Sequence, residues 1–215
     1  MKLLVTAGPT REPLDPVRYL TNRSSGKMGY ALAHAAAHAG HRVLLVSGPT
    51  ALEVPDGVDF LPVETAAQMF EAVSRHIGRM DAAIHAAAVA DYRPAATAEQ
   101  KIKKTGETLT LELLRNPDIL GSCRDAFGFD GVLVGFAAET GNLEANARDK
   151  LRRKGCDLVV ANDVSQPGIG FDSDRNRVLL VHPDHTEPLP EDDKHALAHR
   201  IVHEVEALLA AKHRA

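Results

Sequence analysis

Three stretches, KLLVTAGP (residues 2–9), KMGYALAHAAAHAG (27–40) and RVLLVSGP (42–49), decide the fold. In the first, Lys2 to Thr6 is a short β-branched and leucine run that breaks at Gly8-Pro9, the pattern of a buried strand entering a loop. The second is rich in alanine, with its larger apolar residues at helical spacing from Met28 to Ala39 and Gly40 placed to stop it. Ser24 or Ser25 is expected to cap that helix. A second apolar strand follows from Arg42 to Ser47. Strand, helix, strand within fifty residues predicts a parallel βαβ unit.

The alternation continues outward. Ala66 to Ile77 reads as a helix and Ala82 to Ala87 as a small-residue strand. Asn116 to Phe127 (helix), Val132 to Ala137 (strand), Leu143 to Lys154 (helix) and Asp157 to Ala161 (strand) repeat the rhythm. Val178 to Val181 reads as a late hairpin strand, and His195 to Lys212 as a closing amphipathic helix. The expected fold is α/β: a Rossmann-like, doubly wound, mostly parallel sheet with helices on both faces, in one domain over residues 1–215.

Composition supports this. A chain of 215 residues, 44% hydrophobic and 25% charged, can bury one substantial core. Its net charge of -4 and pI near 6.2 argue against a general nucleic-acid binder, so any anion site must be local. The apolar opening, Met1 to Ala7, is too brief for a signal sequence or a membrane span, so a soluble, cytoplasmic protein is expected. Cys123 and Cys156 lack metal-ligand or CxxC spacing. Cys123 falls within a predicted helix without a catalytic partner and reads as core filler. None of the eleven histidines falls in a HExxH pattern, and most are expected on the surface.

Two connections are longer than an economical α/β domain needs: Gly8 to Arg23 and Asp91 to Glu107. Both follow strands at their C-terminal ends, where ligands of doubly wound sheets bind. The first, GPTREPLDPVRYLTNRSSGKMG, gathers Arg11, Arg18, Arg23 and Lys27 around serines and glycines at a helix start. Backbone N–H groups there, approached closely past Gly26 and Gly29, can hold a phosphate or carboxylate. A solvated basic loop is the plainer alternative. Ser25-Gly26-Lys27 is not a P-loop, since Met28 and Thr21 occupy positions that need Ser or Thr and Gly. No GxGxxG follows the first strand, and the second ends without a ribose-binding acid, which disfavours an NAD(P)-dependent oxidoreductase. In the second segment, Ala86 to Ala88 leave backbone exposed to a flat ligand, Asp91 adds a fixed negative charge, and Lys101, Lys103 and Lys104 could fold over a polyphosphate. A solvated charge run is again the alternative.

The blocks Gly8 to Gly29, AAVADYRP (Ala87 to Pro94), KIKK (Lys101 to Lys104), NPDIL (Asn116 to Leu120), GFAAET (Gly135 to Thr140) and VAND (Val160 to Asp163) resemble, in order and spacing, the bacterial phosphopantothenoylcysteine synthetase family over nearly the full chain. The resemblance implies a ligase that activates 4'-phosphopantothenate with CTP, releases pyrophosphate, and lets the amine of L-cysteine displace CMP. Eukaryotic relatives use ATP. By position, Asn22 would polarise the acyl-nucleotide carbonyl, Arg18 would lie beside it, and Lys101 would assist nucleotidyl transfer. His85, Ala86, Ala87, Asp91, Lys101, Pro117, Asp118, Ile119, Leu120, Phe136, Lys150 and Lys154 would line the nucleotide site. Lys150 and Lys154 lie one helical turn apart and can point the same way. Mg²⁺ is expected with the triphosphate, although no carboxylate cluster identifies protein ligands for it. A homodimer is implied, with residues between Arg11 and Tyr19 completing a neighbour's site. So is association with a phosphopantothenoylcysteine decarboxylase, of which a non-catalytic partner subunit is the competing reading.

Overall fold

Five apolar runs pair as parallel strands because each is sandwiched between helices and can bury both of its faces. The computed structural model describes residues 1–214 except 105, 140 and 164–172; Thr105 of the second long segment and Thr140, which ends the GFAAET block, lie outside the described residues. The chain runs β1 (Lys2–Ala7), β2 (Arg11–Pro13), β3 (Tyr19–Thr21), α1 (Lys27–His38), β4 (Arg42–Ser47), β5 (Val58–Pro62), α2 (Ala66–His76), β6 (Ala82–His85), β7 (Tyr92–Pro94) and β8 (Leu113–Arg115). It continues through α3 (Ile119–Asp125), β9 (Val132–Glu139), α4 (Leu143–Lys154), β10 (Leu158–Asp163), β11 (Arg175–Val181), β12 (Thr186–Asp193) and α5 (Lys194–Lys212).

The main sheet has eight strands in the order β12-β11-β10-β9-β6-β1-β4-β5. From β5 to β10 all pairings are parallel, while β11 and β12 extend the sheet as an antiparallel hairpin. In chain order the parallel strands stand 3-2-1-4-5-6, so the connections leave in opposite directions on either side of the β1/β6 pair and open a crevice at its C-terminal end. Alternate residues feed opposite faces: Leu3, Val5 and Ala7 of β1 pack with α1 and α5, whereas Leu4 packs with α2, α3 and α4. Each such fully buried leucine contributes roughly 1.5–3 kcal/mol relative to exposure. Helices on both faces match the sequence expectation.

Several boundaries differ, for local reasons. Neither Ser24 nor Ser25 caps α1; its N-cap is Gly26, at φ 79° and without a side-chain cap bond. The expected Asn116–Phe127 helix shrinks to α3. Asn116 precedes Pro117, which disfavours helical backbone there, and Asp118 provides the true cap by accepting from the Gly121 N–H. The strand expected to reach Ala87 ends at His85. Strands β5 and β12 escape the hydrophobic pattern because they form the two sheet edges, where half-exposed residues and the prolines Pro62, Pro188 and Pro190 are tolerated. The long connections are not plain loops either. They carry the two-stranded ribbons β2–β3 and β7–β8.

Gly29 shows how tightly α1 is held: a Cβ there would stand 2.5 Å from the Ala7 Cβ. Gly29→Val is therefore expected to destabilise the protein by about 1–3 kcal/mol, read as a lower urea midpoint at unchanged m-value.

Candidate active site

Parallel pairing does not stop where β1 and β6 end. Pro9 and Ala88 form a further parallel bridge; the Ala88 N–H donates to the Gly8 carbonyl at 2.9 Å and the Thr10 N–H to the Ala88 carbonyl at 3.3 Å. The Thr10 hydroxyl oxygen accepts from the Ala90 N–H at 2.9 Å and is fully buried. This seam fixes the start of one long connection against the start of the other, directly above the topological switch point.

Two cavities open there. One, of about 280 Å³, is bounded by His85, Ala87, Asp91, the Pro117–Leu120 turn, Phe136, Lys150 and Lys154. The other, of about 390 Å³, is bounded by Asn22, the Ser24–Gly29 entry to α1, Ala86, Asn162, Asn176 and Lys194. They share Ala87, Val89, Asp91, Phe136 and Lys150, so they form one bent crevice. Eleven of the twelve residues expected at the nucleotide site line one cavity or the other; Lys101 lines neither.

The charge pattern favours anions. Lys150 donates to the Phe136 carbonyl at 2.5 Å, which holds its ammonium at the junction of the cavities. Lys154 is paired with Asp118, and Arg115 and Arg153 complete a basic wall. Asp118 has a structural task as well as a lining one. Burial pushes its carboxyl up, but bonds from Lys154 and the Gly121 N–H outweigh burial and hold it below its usual range. His85 is 8% exposed, and burial, reinforced by the Lys150 charge and opposed by Asp118, drops its pKa to about 4. It is a neutral imidazole at physiological pH, 3.5 Å from the Cys123 sulfur. Burial raises the thiols of Cys123 and Cys156 to about 12, so Cys123 is core filler, as its place in the sequence implies, and not a nucleophile.

The three residues expected to carry chemistry are divided. Asn22 borders the larger cavity, and its amide donates to the carbonyls of Ala88 and Val89, each at 3.1 Å. Both amide protons are thereby engaged by backbone. Polarising an acyl carbonyl would need one of these bonds to be exchanged. Arg18 lines neither cavity; it binds Asp15 through Nε (3.0 Å) and Nη2 (2.6 Å) and donates to the Ile102 carbonyl at 2.9 Å. The Ile102 N–H in turn donates to Asp15 at 3.1 Å. Asp15 also accepts the N–H groups of Val17 and Arg18, and the Arg18 guanidinium holds its carboxyl far below the usual range. Lys101 is exposed next to this anchored residue.

Sequence reading missed the floor of the larger cavity: Asn162, Asn176 and Lys194, all at most 9% exposed. Asn162 carried a signal, being a polar residue inside the apolar strand VVAND; Lys194, at the start of a surface helix, carried none. Among the described residues no group of three or more His, Cys, Asp or Glu side chains is gathered to hold a metal ion, and no helix is long and apolar enough to cross a membrane.

Residues 1–209 match the family described as DNA/pantothenate metabolism flavoprotein C-terminal domain. The chain belongs to that family. It is similar to the coenzyme A biosynthesis bifunctional protein CoaBC of Vibrio parahaemolyticus, 48% identical over 209 residues covering 96% of this chain and 52% of the relative. The Escherichia coli K12 protein of that description is 47% identical, over 95% of this chain and 51% of the relative. The chain thus spans about half the length of the curated relatives it matches. Among solved structures, the C-terminal domain of CoaBC superposes with a TM-score of 0.83 at 42% identity, covering 98% of this chain and 96% of that one. A Cab2 variant in complex with phosphopantothenate-cysteine shares the fold at TM-score 0.80 and 19% identity, over 98% of this chain and 87% of that one. In this family member the crevice at the switch point is the feature to which both long connections contribute.

The buried neutral imidazole has a measurable consequence. An unfolded His85 protonates near pH 6.5, whereas the folded one resists to about 4. Between those values the unfolded chain binds more protons, so stability falls as pH is lowered through the window, by up to about 3 kcal/mol from this group. His85→Gln is expected to flatten that part of a stability–pH curve measured by urea denaturation.

Proposed function

We propose that this chain is a phosphopantothenate–cysteine ligase acting in coenzyme A biosynthesis. The observation that carries the reading is the continuity of the two cavities across Ala87, Asp91, Phe136 and Lys150. A nucleotide in one and the carboxylate of 4'-phosphopantothenate in the other would meet at their junction. Family membership, with relatives named for coenzyme A biosynthesis, supports this over a nicotinamide-dependent oxidoreductase, whose glycine fingerprint is missing.

The proposed nucleotide is CTP. The carboxylate of 4'-phosphopantothenate would attack its α-phosphorus and expel pyrophosphate; the amine of L-cysteine would then add to the mixed anhydride carbonyl and expel CMP. The basic wall of Lys150, Arg153 and Lys154 suits the anionic nucleotide. The N-terminus of α1, with Gly26 and Lys27, suits a second anionic group. Asn22 is assigned to the acyl carbonyl and Lys101, on a segment anchored by the Asp15–Arg18 pair, to pyrophosphate departure. Among the described residues no carboxylate or histidine group of the crevice is gathered to hold a metal ion, so Mg²⁺ is assigned to the triphosphate itself.

The test supplies 4'-phosphopantothenate, cysteine, Mg²⁺ and either CTP or ATP, and follows pyrophosphate and nucleoside monophosphate by chromatography. CMP formed only with every substrate present is the expected result. AMP instead would overturn the choice of nucleotide, and neither product would favour a non-catalytic partner of the decarboxylase. Lys101→Gln is expected to abolish pyrophosphate release, whereas Asn22→Asp is expected to release it and stall before the amide forms.

A homodimer is part of the proposal. Val17, Tyr19, Tyr92, Leu109, Leu113 and Leu114 are all at least 42% exposed and lie on or beside the ribbons β2–β3 and β7–β8, an apolar surface suited to burial against a second copy. Arg18, on the same ribbon and outside this chain's own cavities, would then be placed to complete the partner's site. A decarboxylase would act next to the dimer, and a reducing cytoplasm suits two buried free cysteines. Replacing Leu114 by Asp is expected to yield monomer in sedimentation velocity and to lower ligase activity at least tenfold, an effect on the order of 1.4 kcal/mol.

A further inference from the structure

We propose that the histidine cluster in the groove between α1 and α5 binds a divalent transition cation of the borderline class that includes Zn²⁺. His34 and His38 stand one turn apart on α1, and His195 and His199 one turn apart on α5. The two helices run side by side, packed through Leu32, Ala35 and Ala36 on one and Leu197, Ala198 and Ile201 on the other. Their exposed edges bring the imidazoles together in rungs: His34 meets His195 edge to face at 5.7 Å between ring centroids, and His38 meets His199 likewise at 6.1 Å. Along α1 the rings of His34 and His38 are 6.2 Å apart and within 6° of parallel.

Four imidazoles on two packed helices are an unusual thing to leave at a surface. Two histidines one turn apart on a helix face are a known chelating pair, and an all-imidazole set selects Zn²⁺ and its transition-metal neighbours over Mg²⁺ or Ca²⁺. Two imidazole nitrogens on one tetrahedral ion stand roughly 3.3 Å apart, given bonds of about 2.0–2.1 Å. No three such side chains are gathered at coordinating distance among the described residues. The site therefore closes by rotation of the side chains, and all four are exposed and able to rotate. Further along, Glu206 of α5 accepts from His41 at 2.7 Å, which ties α5 to the turn that follows α1. His34 and His195 also border a separate cavity of about 590 Å³ beside the Leu52–Asp56 segment, so a hydrated ion has open access.

The inference is independent of the ligase reading, since none of the four histidines lines the crevice. Because the ligands come from helices more than 150 positions apart in the sequence, only the folded chain offers the whole set, and binding must stabilise it.

The test uses chelator-stripped protein and Zn²⁺ alone, with affinity read by competition against a chromophoric chelator and stability by thermal unfolding. Saturable binding of one equivalent, with a rise in Tm, is expected. His34→Gln with His38→Gln, and separately His195→Gln with His199→Gln, are each expected to weaken binding at least as much as the roughly 10–100-fold that loss of an outer-shell partner costs, and to abolish the Tm rise. Circular dichroism of the metal-free variants verifies that these exposed substitutions leave the fold intact. No saturable binding by the parent chain would overturn the proposal. So would unchanged affinity in either double variant, because ligation would then lie on one helix or elsewhere.

Discussion

The hydrogen-bonded seam between Gly8–Thr10 and Ala88–Ala90 is the constraint on which the site depends. In a doubly wound sheet the strands on either side of the switch point send their connections apart, and the backbone groups left between them face the ligand. Here the first residues beyond β1 and β6 keep pairing, so the crevice has a defined edge before any side chain is considered. Asn22 is secured to that edge by two bonds to Ala88 and Val89. Thr10 is buried beneath it and satisfied by Ala90. A buried backbone left unpaired here would cost free energy; continuing the ladder avoids this and positions the loops at the same time.

The lining of the crevice shows a second economy. Asp118 closes the first turn of α3 and neutralises Lys154, while Lys150 is retained by a backbone carbonyl. In the smaller cavity Arg115, Lys150, Arg153 and Lys154 outnumber Asp91 and Asp118, although the chain as a whole carries net negative charge. His85 adds shape and no charge, because its surroundings suppress protonation. An anion entering the crevice meets cations already oriented, with little reorganisation left to do.

Legibility in the sequence followed burial. Strands β1, β4, β6, β9 and β10 are sandwiched between helices and announce themselves as continuous apolar runs, so the Rossmann-like order was readable. The edge strands β5 and β12 and the short ribbons are half-exposed and proline-bearing, and carry no such run. In the crevice, motif blocks located the walls, since residues such as Phe136, Lys150 and Pro117–Leu120 converge through chain topology that the alternation already implied. The floor was harder. Asn176 and Lys194 arrive from the antiparallel hairpin and the last helix, elements whose placement depends on tertiary packing. The cap of α1 failed for a related reason: Gly26 is chosen by a left-handed backbone and by space against Thr50, whose methyl a Cβ would meet at 2.7 Å, and capping preference weighs little beside that.

The Asp15–Arg18 pair changes what kind of object the two long connections are. Its carboxylate takes the N–H of Ile102 and its guanidinium the carbonyl of the same residue, so two side chains imitate the edge of a strand and recruit a distant stretch of backbone as its neighbour. Part of the conformational entropy of a long lysine-bearing segment is thereby lost during folding, when the core supplies the free energy to offset it. What arrives later as a ligand has correspondingly less disorder to remove.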